Sequence, residues 1–522
     1  MRIVHFLLIF TLFTSCHSVN KYNAQISKMH TVSELREDVD YAYKKLQRLQ
    51  PNLYLYIDKK DLNYKFDSLK SSFSKPLSSR QLYLQLAPLV TSIRQGHTAI
   101  APPFKEQTKK DLKQKGKRKN PFRKFRFRKV NDKVYLVKNF GKDSSIYRGS
   151  ELLKIEDKEV SEILNSIKHL LTGDGFNTTL VPEISSRYIG SFYLRKYGYK
   201  DSLQLTLNDR GRIYKKYVYA YPKKKQFTKK EKPLKVKLTK EDKKVAKIKR
   251  KARKKWESKH GYNKKTKELT RELRFISNRT IPIVAYLKIR RFMNGNYERF
   301  YEDTFKRIDS AKAENLIIDL RYNGGGRLSE IGTLYSYLIS NEHQFISNAK
   351  MTRNSSWMYP LYHNNSFFKT ALHSVLYPVA LTIQFLKVKK ENGASYFKFK
   401  NNKLKKPSEE YNYKGNIYVL INGASFSASS IISNNLQANK RAYFIGDETG
   451  GAYNSTVAGR MADVELPNSK VILYIGLMNL ETPNKTLPDG FGVKPDKYIP
   501  TTTLNTDEQM DWVLSYIKSN KK

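Results

Sequence analysis

The chain has 522 residues and a formal net charge of +51, and hydrophobic residues make up 39% of it. This length suits two to four domains, and the apolar content excludes a globally disordered chain. The charge indicates an anionic neighbour, which a nucleic acid, an acidic surface or an acidic substrate could each supply. Because Cys16 is the only cysteine, an internal disulfide is excluded.

The amino-terminal segment has the features of an export signal. A basic start precedes an apolar run, which is shorter than the ~20 residues that a membrane-spanning helix needs. The run ends in FTSC, which resembles the lipidation signal of bacterial lipoproteins. We therefore expect a signal peptide over residues 1–16, a lipid on Cys16, and a location in the periplasm, on the outer membrane or at the cell surface. Secretion with an incidental cysteine is the alternative.

The next two segments predict a helical region and then a β-rich domain. Apolar residues recur at helical spacing over residues 31–102, and Thr31 or Ser33 is a suitable cap for the first helix. Residues 130–221 contain short strands. Within them, a glycine, a strand, a turn and an amphipathic helix follow one another, in an order that resembles part of a PDZ-like domain.

Residues 222–275 are dominated by lysine and contain few aromatic residues. We expect a solvated helix or a flexible insertion here, because no apolar stripe is wide enough to be buried. One interpretation is a solvated spacer, and the other is docking on an anionic envelope surface. Base stacking needs aromatic residues between the cations, so we expect no specific nucleic-acid role.

From residue 276 to residue 510, short continuous apolar strands alternate with helices. This alternation predicts a mainly parallel sheet that helices cover on both faces.

Within this region, the stretch INGASFSASSII (421–432) joins a strand to a helix and contains four serines. The first amides of a helix have no intrahelical partner, so they can stabilise an oxyanion that forms on a substrate beside a serine. By itself, a serine at the start of a helix is most often only a helix cap.

The stretch LIIDLRYNGGGRL (316–328) places three glycines between an apolar strand and a helix. Backbone N–H groups in such a turn can bind an anion. The Gly-Lys-Ser/Thr ending of a phosphate-binding loop is missing, and a simple tight turn is the alternative.

Taken in chain order, the segments DLRYNGGG, NGASFSAS, GDETGG and GFGVKPD resemble the tail-specific, or C-terminal processing, serine peptidase family. The segment IRQGHT resembles the tricorn-type branch of that family. The resemblance implies an α/β fold, with a crotonase-like α/β spiral core, a PDZ-like β domain and an N-terminal helical region. It also implies hydrolysis of peptide bonds in protein or peptide substrates, without a metal or an organic cofactor.

The resemblance also implies the nucleophile and the oxyanion donors. The family pattern Ser-Ala-Ser-Ala-Ser has its attacking serine in the middle, which corresponds here to Ser427. The backbone N–H groups of Ala428 and Gly325 would then bind the oxyanion.

The base and its carboxylate follow from the same resemblance. Ala452 stands where the better-known branch has its lysine, so we expect the histidine of the tricorn-type branch, His97, to act as the base. Imidazole suits this role because its unperturbed pKa is near 6.5. The resemblance also implies a carboxylate that orients the histidine; Asp489 is the favoured residue for this role, and Glu481 is the alternative. One departure from the branch is Gly96, where a serine is common.

Two functions remain open at this point. The first is a secreted or envelope-anchored serine endopeptidase. The second is a catalytically inactive peptide-binding envelope protein on the same fold, which the missing lysine makes worth testing.

Overall fold

The computed structural model of the chain describes residues 18–141, 143–221, 239–277, 281–362, 376–399 and 403–520. The predicted signal segment with Cys16 lies outside these residues, as do positions 222–238 of the predicted lysine-rich insertion. In the described part of the chain, no helix is both long enough and apolar enough to cross a membrane.

The secondary structure alternates between helices and strands throughout. The strands are β1 (Met29–His30), β2 (Leu77–Ser78), β3 (Ala99–Ala101), β4 (Phe125–Val130), β5 (Lys133–Asn139), β6 (Glu151–Ile155), β7 (Lys158–Glu159), β8 (Ser202–Asp209), β9 (Arg212–Tyr219), β10 (Arg271–Ile276), β11 (Val284–Ile289), β12 (Asn315–Asp319), β13 (Asn348–Met351), β14 (Val388–Glu391), β15 (Ala394–Phe397), β16 (Asn416–Ile421), β17 (Tyr443–Gly446), β18 (Ser455–Glu465), β19 (Ile472–Glu481) and β20 (Lys497–Tyr498). The helices are α1 (Val19–Ser27), α2 (Val32–Leu49), α3 (Lys59–Ser72), α4 (Ser79–Thr91), α5 (Lys109–Lys115), α6 (Val160–Ile167), α7 (Leu180–Arg187), α8 (Ile189–Tyr197), α9 (Lys240–His260), α10 (Tyr297–Ser310), α11 (Leu328–Ser336), α12 (Tyr359–Tyr362), α13 (Tyr377–Lys387), α14 (Ala428–Ala438) and α15 (Glu508–Ser519).

The amino-terminal helices begin at caps that the sequence can supply. Thr31 caps α2: the Glu34 N–H donates to the Thr31 hydroxyl, and the Thr31 N–H donates to the Glu34 carboxylate. This reciprocal pair is a capping box, and it selects Thr31 over Ser33 as the cap. Ser78 and Gln81 form the same arrangement at the start of α4.

An antiparallel sheet follows, in the order β4–β5–β6–β8–β9, with β7 paired to β6. It begins at Phe125, slightly before the expected start of the β-rich domain at residue 130. Buried residues of this sheet, such as Leu136 and Leu205, share one hydrophobic core with residues of the amino-terminal helices, such as Leu35 and Phe66. The helical region and the antiparallel sheet therefore stabilise each other.

The central sheet has the order β10–β11–β12–β16–β17–β20, and every neighbouring pair except β10 and β11 is parallel. One face packs on α10, α11 and α14, and the other packs on α15. Burial on both faces explains why strands such as β12 are continuously apolar in sequence. The predicted α/β class with a mainly parallel sheet is confirmed.

A third sheet, in the order β14–β15–β13–β19–β18, is formed by strands from the carboxyl-terminal half of the sequence. The short strand β3 also pairs with β19, with Ala99 opposite Tyr474 and Ala101 opposite Ile472. Because β3 comes directly after the GHT sequence, this pairing attaches the amino-terminal region to the sheet that follows the serine stretch.

The lysine-rich insertion contains helix α9, in which no residue is buried. Its last turn is closed by the Tyr262 N–H, which donates to the Glu257 carbonyl at 2.8 Å, and it is joined to the rest of the chain by the Asn296 N–H, which donates to the Ser258 carbonyl at 3.0 Å. The expected boundary at residue 275 needs correction. Strand β10 belongs to the central sheet, where it pairs with β11, and its buried Arg271 forms an ion pair with Glu330 at 2.7 Å.

Candidate active site

The serine loop, residues 422–427, joins β16 to α14 and ends at a strained residue. Ser427 has φ 58° and ψ −120°, a conformation that residues with a Cβ rarely adopt. Its side chain makes no capping hydrogen bond with the helix that follows, and no other hydrogen bond of its hydroxyl is present among the described residues. The helix-cap explanation of this serine is therefore not supported.

The other three serines of the stretch have structural hydrogen bonds. The Ser425 hydroxyl donates to the Leu320 carbonyl at 2.9 Å. The Ser429 hydroxyl donates to the Asn323 carbonyl at 2.8 Å, and the Ser430 hydroxyl donates to the Ser425 carbonyl at 3.1 Å. The structure thus separates Ser427, which is half-buried with an available hydroxyl, from three buried serines that hold the loop together.

The glycine turn, residues 323–326, packs directly against the serine loop. A Cβ on Gly325 would lie 2.8 Å from both the Ala428 nitrogen and the Ser427 Cβ, and φ of Gly325 is +90°. Glycine is therefore required at this position for steric and conformational reasons. Asn323 joins the two segments, since its carbonyl accepts a hydrogen bond from the Phe426 N–H at 3.1 Å.

The two predicted oxyanion donors have different surroundings. Ala428 is the first residue of α14, so its N–H has no intrahelical acceptor. The Gly325 N–H donates to the Asn323 side-chain oxygen at 3.0 Å. A contact between Gly325 and an oxyanion would require this hydrogen bond to weaken or break.

The histidine loop, residues 92–98, lies against the serine loop. The His97 ring and the Phe426 ring have centroids 4.9 Å apart, and Phe426 directly precedes Ser427. A Cβ on Gly96 would lie 2.7 Å from the Phe426 ring and 3.0 Å from the Asp174 carboxylate. The glycine that departs from the tricorn-type pattern is thus explained, because Phe426 and Asp174 occupy the space that a side chain would need.

His97 is electrostatically suited to be neutral. Burial lowers the pKa of His97 to about 4, so the imidazole carries no proton charge at neutral pH. Its Nε2 atom is buried without a hydrogen-bond partner. No hydrogen bond joins the side chains of His97 and Ser427, both of which lie within the described residues. In enzymes without substrate, such bonds are often longer or less well aligned than in the reacting complex.

Neither predicted carboxylate has a hydrogen bond with His97. Asp489 accepts from the Gly490 N–H at 2.6 Å and from the Tyr56 hydroxyl at 3.3 Å. Glu481, at the end of β19, accepts from the Asn479 side-chain amide at 3.1 Å and lies 3.7 Å from the Lys485 ammonium.

A buried carboxylate that sequence reasoning missed, Asp174, lies behind the histidine loop. It accepts hydrogen bonds from the Gly96 N–H at 2.6 Å and from the Ala452 N–H at 3.3 Å. Burial raises the pKa of Asp174 to about 6, and the neighbouring Asp489 acts in the same direction. Asp174 thus connects the histidine loop to Ala452, the position where the better-known branch has lysine.

The environment of Asp174 explains why the sequence did not reveal it. The residue lies in the segment GDGFN of the antiparallel domain, outside every motif that carried the family resemblance. The neighbouring Gly175, with φ +57°, packs closely against Gly490, and the Phe176 N–H donates to the Gly490 carbonyl at 2.8 Å. The only available signal was an aspartate between two glycines.

Comparison with known proteins agrees with this geometry. The model of peptidase family S41 matches residues 283–499. The crystal structure of mature CPAF has a TM-score of 0.57 and 15% sequence identity, covering 93% of this chain and 96% of that chain. A CPAF mutant has a TM-score of 0.58 and 17% identity, covering 94% of this chain and 98% of that chain. At these identities the structural likeness shows the fold alone. No curated protein sequence matches the chain.

The family match covers the glycine turn, the serine loop and the carboxyl-terminal segments that carried the resemblance. Residues 283–499 therefore form a peptidase family S41 domain, and the chain is a serine-type peptidase.

Proposed function

We propose that the chain is an endopeptidase in which Ser427 is the nucleophile and His97 is the general base. The observation that carries the proposal is the conformation of Ser427. Its positive φ turns the residue out of the helix that it precedes, its hydroxyl is available, and the ring of the adjacent Phe426 contacts His97. A nucleophile on a strained strand-to-helix turn, close to unpaired amides, is a recurrent arrangement for acyl transfer.

The reaction begins with attack on the peptide carbonyl. The Ser427 oxygen bonds to the carbonyl carbon while its proton passes to the neutral His97, and the Ala428 N–H stabilises the oxyanion that forms. Collapse of this intermediate breaks the C–N bond, and the amine leaves with the proton from His97. Water, activated by the same imidazole, then hydrolyses the acyl-enzyme and releases Ser427.

Asp489 is the proposed partner of the imidazole, with Glu481 as the alternative. The Asp489 side chain lies near Asp174 and accepts from Tyr56, so it belongs to the carboxylate group beside the histidine loop. Glu481 already interacts with Asn479 and Lys485. Asp174 is assigned a positioning role, because its contacts are with the backbone on either side of the site.

Labelling with a fluorophosphonate probe tests the nucleophile. The wild-type protein should be labelled and should hydrolyse a casein substrate. Ser427→Ala should lose labelling and about 10⁴-fold or more of kcat, since the attacking atom is removed. Ser430→Ala is the matched control, because its hydroxyl bonds within the loop, and it should retain labelling. Labelling of Ser427→Ala at the wild-type rate would contradict the assignment.

We also propose that the protein acts in the cell envelope, anchored by lipid on Cys16 and held close to an anionic surface by α9. This helix has eleven Lys or Arg residues against three Asp or Glu residues, and all of them are solvent-accessible. Such a charge density favours contact with anionic lipid or polysaccharide.

A fractionation experiment tests this location. Wild-type protein should be found in the membrane fraction and should incorporate a labelled fatty acid, whereas Cys16→Ser should lose the label and move to the soluble fraction. A membrane-bound Cys16→Ser protein with unchanged fatty-acid labelling would contradict lipid anchoring. Replacing α9 lysines with glutamine in Cys16→Ser should reduce its residual binding to vesicles that contain anionic lipid.

A further inference from the structure

A large cleft separates the antiparallel sheet from the central sheet. Its volume is about 1110 Å³, and its walls come from β4 and β5, the turn between β8 and β9, the end of β11 and residues 502–505. Neither Ser427 nor His97 lines it. The cleft is therefore a second site, distinct from the catalytic pair.

The lining of this cleft is strongly basic. Among the residues that the structure describes, ten Lys or Arg side chains line it, against four Asp or Glu side chains. Two of the cations share one carboxylate, since Arg126 donates to Glu268 at 2.7 Å and 3.0 Å and Lys138 donates to the same group. The imbalance leaves an excess of positive charge in a concave space, where field lines are focused.

Several of these cations have no carboxylate at ion-pair distance among the described residues. Arg148 and Arg291 are exposed at the cleft and have no such partner. Arg128 and Arg187 lie over the Tyr322 ring, at 4.3 Å and 5.6 Å from its centroid. Guanidinium groups of this kind suit carboxylate ligands, because two parallel N–H groups can bind both oxygens.

The carboxylate beside these arginines compensates their charge only partly. Burial raises the pKa of Glu183 to about 7, against the opposing effect of Arg128 and Arg187. At neutral pH a substantial fraction of Glu183 is therefore protonated, and the arginines next to it keep an uncompensated positive charge.

The back wall of the cleft is connected to the candidate active site. Tyr322 directly precedes the glycine turn and has φ +63°. Its N–H donates to the Asn422 side chain at 2.9 Å, and its carbonyl accepts from Arg187 at 3.3 Å. Asn422 is the first residue of the serine loop, so the residues that bound the cleft also hold the two loops that carry Ser427 and Gly325.

We propose that this cleft binds an acidic segment of a protein substrate, a run of Asp or Glu side chains, while Ser427 cleaves the chain elsewhere. The part of this inference that concerns substrate preference rests on the proposed peptidase function. The part that concerns binding of an acidic segment depends only on the cleft. The negative charges of an acidic segment complement the eight arginines and two lysines that line the cleft.

Binding is tested with a fluorescein-labelled deca-glutamate peptide and the full chain carrying Ser427→Ala. Fluorescence anisotropy at low ionic strength should show saturable binding that weakens as salt is added. A deca-glutamine peptide should not bind. Because the protein in this experiment lacks the Ser427 hydroxyl, the measurement reports binding alone. Its result does not depend on whether Ser427 is the nucleophile.

A matched pair of double variants locates the binding site. Arg148→Gln with Arg291→Gln removes two exposed cleft cations that have no ion pair to lose, and should raise the Kd for deca-glutamate roughly tenfold. Lys247→Gln with Lys251→Gln removes the same charge from α9, and should change the Kd less than twofold. An unchanged Kd in the cleft variant, or an equal loss in the α9 variant, would overturn the proposal.

Hydrolysis gives the second readout. For a peptide substrate with an acidic stretch, the cleft double variant should raise KM and leave kcat within about twofold, while a matched substrate with glutamines should show no change in KM. Equal effects on both substrates would contradict an acidic-segment site.

Discussion

The serine half and the histidine half of the candidate site are assembled in different ways. Ser427 and the glycine turn follow neighbouring parallel strands, β16 and β12, whose carboxyl ends meet at one edge of the central sheet. His97 comes from the amino-terminal region and reaches the site through the pairing of β3 with β19 and the contacts of Asp174. One half depends on local chain geometry, and the other depends on long-range contacts.

The two halves of the site should respond differently to amino-acid substitutions. The serine half is fixed by a dense set of backbone hydrogen bonds, such as the bond from Phe426 to Asn323. The histidine loop is also well held, for example by the bond from the Gly96 N–H to Asp174, but the His97 Nε2 has no hydrogen-bond partner and no hydrogen bond joins His97 to Ser427. Substitution of His97 itself should therefore alter activity with a smaller change in stability than substitutions in the core of the central sheet.

The largest effect in the histidine half is expected from His97 itself. His97→Gln should lower kcat by about 10³-fold, because the serine proton then has no base to accept it. Thermal unfolding should change little, since the buried Nε2 has no partner to lose. His30→Gln is a control at another buried histidine and should keep activity, although it disturbs a hydrogen bond with Ser79. Wild-type kcat in His97→Gln would show that another group is the base.

The carboxylate assignment should give the next largest effect. Asp489→Asn should lower kcat about 10²-fold if Asp489 holds the imidazole in the reacting complex. Glu481→Gln should cost less than tenfold, because Glu481 interacts with Lys485 and Asn479 instead. Measuring kcat for both variants decides between them, and a reversed order would move the role to Glu481.

Gly96→Ser restores the residue that is common in the tricorn-type branch and should lower kcat about tenfold. The added side chain would enter the space of Phe426 and Asp174 and displace the histidine loop. Phe426→Ala should recover part of the loss when combined with Gly96→Ser, because it removes the ring that the serine would meet. If the single variant has wild-type activity, the contact between the loops is looser than the structure describes.

Asp174→Asn should have the smallest effect on kcat, a few-fold, and a clear effect on the pH dependence of stability. The raised pKa of Asp174, about 6, means that the folded state binds this proton more tightly than the unfolded state does. The carboxylate therefore lowers the free energy of unfolding progressively as the pH rises from about 4 to about 6. From the difference between the folded value and the usual value of 3.8, the total loss is about 3 kcal/mol.

Chemical denaturation of wild-type protein and Asp174→Asn at several pH values measures this effect. The difference between the two proteins should shift in favour of Asp174→Asn across the same pH window, since asparagine does not titrate. His97 contributes in the opposite direction, because its lowered pKa, about 4, makes stability rise with pH up to about 6.5. Its contribution is present in both proteins. A difference that does not vary with pH would show that Asp174 is not titrating in this range.

The amino-acid sequence by itself determined the central fold and the serine half of the site. Continuous apolar strands separated by helices specify a parallel sheet, because only burial on both faces accepts such strands. The positive φ of Gly325 and the small residues around Ser427 belong to turns that are local in sequence. These features depend on chain periodicity and on steric limits, and both can be read without coordinates.

Tertiary structure alone decided how the histidine loop is held against the serine loop, and where the cleft lies. Asp174 has no motif, and its role arises only because folding places it between Gly96 and Ala452, residues distant in sequence. The absence of a side chain at Gly96 is explained only by the ring of Phe426. The extreme positive charge was visible in the composition, but the clustering of ten cations around one cleft required two sheets to pack against each other. Contacts between remote segments leave no periodic pattern in the chain, so their consequences appear only when the chain is folded.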